Sequence, residues 1–132
     1  MKRRIKNLNS EKGASTVEFA LVIPILIMLL FAILQFGLAF SRYVSLTHAA
    51  REGARLAAVG LYEEDPGGFE QAVRDSAPAV EIETINVDPG EGTIGSTVEV
   101  TVIGSTFLIE IPMAGSWGPI TLTSKASMRR EQ

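Results

Sequence analysis

The stretch FALVIPILIMLLFAILQFGLAF at residues 19–40 decides how the rest of the chain reads. Fifteen of its 22 residues are Leu, Ile, Val or Phe, and no charge occurs from residue 19 to residue 41. At 1.5 Å per residue, a helix of this length rises about 33 Å, close to the thickness of the hydrocarbon core of a bilayer. Those fifteen side chains favour insertion by about 5 to 9 kcal/mol, opposed only modestly by Pro24, Gln35 and Gly37. The apolar residues cover every face of the helix, whereas a surface helix of a globular protein keeps one polar side. The reading is a transmembrane helix. Pro24 has no N–H for the carbonyl of Ala20, which predicts a kink or loosening at residues 20–24. Glu18 stands at the threshold of the run. An unpaired carboxylate in lipid is costly, so Glu18 must either reach the headgroups or meet a cation.

Upstream of this helix the chain is basic. Of twelve Lys and Arg residues, Lys2, Arg3, Arg4, Lys6 and Lys12 precede residue 13, opposed there by Glu11 alone. Such a flank resists translocation and predicts a cytoplasmic N-terminus, with everything after residue 41 outside the membrane. A secretory signal has a shorter apolar run, typically 7–15 residues. The full chain of 132 residues carries −3. Without its first 13 residues it keeps seven bases and fourteen acids, a net −7, which argues against nucleic-acid binding. The absence of cysteine excludes disulfides, Cys-ligated metals and thiol nucleophiles, and the single His48 excludes multi-histidine sites. With no G-x-S-x-G either, the pattern predicts no enzyme, no cofactor, no metal and no small-molecule substrate.

The junction Lys12-Gly13-Ala14-Ser15-Thr16-Val17-Glu18-Phe19 resembles a type IV prepilin processing site. Glu18-Phe19 followed by Ala20-Leu21-Val22-Ile23-Pro24 more narrowly resembles the TadE-like family of tight-adherence (Flp) pilus assembly proteins. Gln35-Phe36-Gly37, Ala49-Ala50-Arg51-Glu52-Gly53-Ala54-Arg55 and the ending Met128-Arg129-Arg130-Glu131 fit that family too. The likeness is strong over residues 12–58 and loose beyond. It implies cleavage after Gly13 by a prepilin peptidase, a mature chain beginning at Ala14, and Glu18 as the fifth mature residue. In the broader family that glutamate is thought to neutralise a neighbour's N-terminal amine. The implied partners are membrane lipid, the peptidase, other pilin or pseudopilin subunits and the assembly platform. The implied location is a bacterial cytoplasmic membrane, crossed once, or the pilus itself. A flexible junction would suit a protease, and Gly13 beside Ala14 is expected to provide one.

Residues 42–59 contain no proline and many helix formers, so the helix is expected to continue as a stalk. Ala49, Gly53 and Ala57, with Ala50, Ala54 and Ala58, place small residues four apart, which lets another element approach closely. That element is either the chain's own sheet or a neighbouring subunit. Arg51 and Arg55 share a face, and Glu52 can reach Arg55. Gly60 should end the helix. Glu63, Glu64 and Asp65 read as a solvated acidic loop, and residues 68–77 as a short amphipathic helix.

Beyond it the period becomes two. Val98, Val100 and Val102 alternate with more polar residues, as do residues 120–129. Ile82 begins a pattern that shifts phase at Ile85, hinting at a bulge, and Asp88-Pro89-Gly90 reads as a turn. Residues 107–111 are a candidate strand. Residues 112–119 read as a loop holding Trp117, as a lid on the core ahead of the alternative, an interface anchor.

The expected architecture is α+β, pilin-like: a long N-terminal transmembrane and stalk helix packed against a small antiparallel sheet. Its parts are a basic leader at 1–13, a transmembrane helix at 14–41, a helical stalk at 42–59 and an extracytoplasmic α+β domain at 60–132. The resemblance implies a processed minor pilin or pseudopilin acting in pilus assembly and adhesion; the alternative is an uncleaved single-pass extracytoplasmic scaffolding or binding module.

Overall fold

The computed structural model describes residues 8–131, with side chains from residue 13. The leader cations Lys2, Arg3, Arg4 and Lys6 lie outside that description, as does the side chain of Lys12. A single helix, α1 (Leu8–Ala58, 51 residues), runs through the junction, the apolar stretch and the stalk. Pro24 lies inside it without interrupting the helix. The turn ends as the glycine logic requires: Gly60 adopts φ 87°, and its N–H bonds the carbonyl of Ala57 at 3.1 Å. Two short helices follow, α2 (Leu61–Glu64) and α3 (Pro66–Asp75). Asp65 caps α3 by accepting from Gly68 N–H at 3.0 Å, and Pro66 occupies the first turn, where its missing donor costs nothing.

Three strands, β1 (Ile82–Asp88), β2 (Thr97–Gly104) and β5 (Thr123–Arg129), form an antiparallel sheet in the order β1-β2-β5. Its inner face is set by the period-two valines: Val98, Val100 and Val102 are buried, whereas Thr97 is exposed and Glu99, Thr101 and Ile103 are half-buried. The register of β1 slips between Ile82 and Thr84. That extra residue moves the inward set from even to odd positions, so Ile82, Ile85 and Val87 all pack toward the core. This inner face closes on α1, where Leu46, Ala49, Ala50, Ala54 and Ala57 are buried, and on Phe69, Val73 and Ala77 from α3 and its end. The fold is therefore α+β, with the second half of α1 as the layer beneath the sheet.

A second, two-stranded sheet departs between β2 and β5: β3 (Phe107–Ile111) and β4 (Gly115–Ile120). Here two expectations are corrected. Residues 115–120 form a strand despite two glycines and a proline, and Trp117 lies on it 56% exposed, so it does not cover the core. The run expected at residues 120–129 is likewise split, because β4 and β5 belong to different sheets. The hairpin lies along α1. The Arg42 guanidinium sits 4.5 Å from the centre of the Phe107 ring, and the Gln35 side-chain amide donates to the Glu110 carbonyl at 3.1 Å.

Candidate functional site

Gly13, Ala14, Glu18 and Phe19 stand on one exposed, unbroken helical segment. Ala14 and Glu18 are four residues apart and thus one turn apart on the same face. The expected flexible junction is helical in the structure. Gly13 is the weak point of that helix, since glycine costs about 1 kcal/mol relative to alanine in a helix interior. A Cβ added at Gly13 would have no atom within 4 Å, so nothing in the fold requires glycine there.

Between residues 13 and 45 no side chain is buried, and large apolar groups such as Leu21, Ile33 and Phe36 are 62–72% exposed. The helix over Gly13–Ala58 is long and apolar enough to cross a membrane. Pro24 lies within this exposed half, half-buried against its own helix.

The small-residue stripe has the opposite surroundings. Ala49, Ala50, Gly53, Ala54, Ala57 and Ala58 are all buried. At Gly53 the approach is closest: a Cβ would come within 3.0 Å of Val100 Cγ1 on β2 and 3.2 Å of Val73 Cγ2 on α3. The stripe therefore lies under the chain's own sheet and α3.

The outward face of the stalk carries charge. Arg55 donates to Glu52 from Nε at 3.0 Å and from Nη2 at 2.5 Å. These hydrogen bonds hold the Glu52 carboxyl below its ordinary value and raise the Arg55 guanidinium further. Arg51 and His48 are exposed on the same helix. Among the described residues no group of three or more His, Asp or Glu side chains is placed to hold a metal ion.

The acidic segment after Gly60 is more structured than a solvated loop. Glu63 belongs to α2 and pairs with Arg130, whose side chain is 8% exposed, while Asp65 is the α3 cap. The terminal residues close on the stalk: Arg130 N–H donates to Ser96 O at 2.8 Å, and Glu131 N–H to Ala58 O at 3.0 Å. Sequence reasoning missed this clasp because its partners lie 67 and 73 positions apart. The one local hint was a basic pair, Arg129-Arg130, ending a strand.

No curated protein and no solved structure matches the chain. Residues 13–55, which begin at Gly13 and end in the stalk, match the family model described as TadE-like protein.

Proposed function

We propose that the chain is a minor pilin or pseudopilin of a tight-adherence pilus. It is inserted with its N-terminus in the cytoplasm, cut after Gly13 by a prepilin peptidase, and assembled into or beneath the pilus through its apolar helix. The observation that carries this reading is the placement of Gly13, Ala14 and Glu18 on the exposed start of a single helix that continues into the membrane-spanning stretch. The family match beginning at residue 13 supports it. Cleavage there removes the five leader cations and leaves the anchor whole, with a new ammonium at Ala14 one turn from Glu18. The peptidase, the assembly platform and neighbouring pilin subunits are the partners this reading requires, and adhesion is its outcome at the cell surface.

An uncleaved single-pass scaffold is the second reading, favoured by the helix that runs through the junction. The intact mass of the protein from membranes with and without the peptidase separates the two. A chain starting at Ala14 in peptidase-positive cells is expected. One still starting at Met1 overturns the proposal and leaves the scaffold. Gly13→Val is sterically tolerated in the folded chain, so its expected loss of processing reports on the peptidase and not on misfolding.

A further inference from the structure

The β3–β4 hairpin runs beside the apolar half of α1, which raises a conflict. Phe107 contacts Arg42, the Glu110 carbonyl contacts Gln35, and the tip residues Ile111 and Pro112 line a groove with Phe31. From Arg42 to Gln35 the helix rises about 10 Å, and three strand residues cover the same distance, so the hairpin points down α1 toward its N-terminus. If the hydrocarbon ended at residue 41, the tip would lie about 15 Å inside it. A two-stranded sheet has unpaired backbone on both edges, and Glu110 is exposed, so neither belongs in hydrocarbon.

The tip itself is not built for water. No charged residue occurs from residue 111 to residue 124. Met113 is 80% exposed, Trp117 56% and Leu108 51%. Met113 also sits at φ 66°, after Pro112, in a turn closed by Ala114 N–H on the Ile111 carbonyl at 3.1 Å. That turn position favours glycine, yet a large apolar side chain stands there.

We infer that the β3–β4 hairpin tip, with Met113 and Trp117, inserts into the interfacial layer of the outer leaflet and sets the outer edge of the hydrocarbon near residues 31–35. Tryptophan beside a spanning helix suits that layer, where one part of the ring is apolar and another wet. Twenty residues then span the core from about residue 14 to residue 34. Glu18 falls about 6 Å inside the inner edge, which sharpens its need for a cationic partner. The inference rests on the single-pass reading and not on cleavage.

Trp117 is the only tryptophan, so its fluorescence reports the tip directly. The full chain is reconstituted at high lipid-to-protein ratio in phosphatidylethanolamine–phosphatidylglycerol vesicles, with acyl chains brominated near the headgroup or near the methyl end. Flotation with the vesicles first establishes the membrane anchor, independently of the hairpin. Headgroup-proximal bromines are expected to quench Trp117 at least twofold more than deep ones, with little quenching by aqueous acrylamide. Met113→Asp should exchange bromine for acrylamide quenching, and Met113→Gly, which relieves the backbone, should do so in part. A floating chain whose Trp117 is open to acrylamide and blind to both bromines overturns the inference. So does one shielded from acrylamide and from bromines, since a second copy would then cover the tip.

Discussion

The two halves of α1 are the same secondary structure in two different solvents. Residues 19–34 carry large apolar side chains that point outward on every side, and none is buried. From Leu46 to Ala58 the apolar positions are mostly alanine and glycine, and they are buried under β2, β5 and α3. Bulk serves where the surrounding medium is fluid lipid that conforms to any shape. Smallness serves where the neighbour is a sheet that must come close. Hydrophobicity alone does not separate the halves; side-chain volume does.

Substitutions made in both halves test that contrast. The largest expected effect belongs to Glu18, a carboxylate close against the lipid half. If Glu18 meets a neighbour's Ala14 ammonium as proposed, Glu18→Ala should leave processing intact but lower pilus yield more than about tenfold, since breaking a pair buried in the membrane costs several kcal/mol. Normal piliation would show that the amine pairing is dispensable.

Next is leucine truncation. Leu46→Ala should destabilise the distal domain by about 2–5 kcal/mol, whereas Leu30→Ala, at a position 56% exposed, should leave domain unfolding unchanged and weaken insertion by only about 0.5 kcal/mol. Urea unfolding in detergent micelles, followed by pulse proteolysis, compares the two. Equal losses would break the contrast.

Glycine filling comes third. Gly53→Val meets Val100 and Val73 and should cost about 1–3 kcal/mol in the same measurement. At Gly37, where a Cβ finds nothing within 4 Å, valine should change domain stability by less than about 0.5 kcal/mol.

The smallest effect concerns the exposed Glu52–Arg55 pair. Because Arg55 lowers the folded-state value of Glu52, the pair helps the fold above the ordinary glutamate value of 4.5 and loses that help as pH falls through the lowered value. Glu52→Gln should therefore lower stability slightly at neutral pH and leave it unchanged below the lowered value, so that urea unfolding followed across pH shows a flatter acid limb.

Much of this was legible in local text. The apolar run, the alanine and glycine spacing and the valines of β2 each repeat at the period of the element they form. The phase shift at Ile85 marks the bulge, which lies just before it between Ile82 and Thr84. The junction around Gly13 is likewise a local pattern, although its helical state was not foreseen: helix propensity carries α1 back to Leu8 across a single glycine. What stayed hidden depends on distant partners. β4 contains Gly115, Gly118 and Pro119, a poor strand composition, and is held in place by pairing with β3. Local text leaves Trp117 between a core lid and an interface anchor; pairing with β3 holds its strand beside α1, where the ring stays exposed. The Arg130–Glu63 clasp joins two ends that sequence spacing cannot bring together.

The unbroken course of α1 from lipid to sheet has a mechanical corollary. With no hinge between anchor and head, the two move as a screw and its nut. One residue inserted just above residue 42 would lift the head about 1.5 Å and turn it about 100° around the helix axis. It would also drag the head's side of the contacts away from Gln35. The compass bearing of the distal domain is thus fixed by how the helix is rotated in the bilayer, and whatever packs against residues 19–30 decides which face of the sheet looks outward.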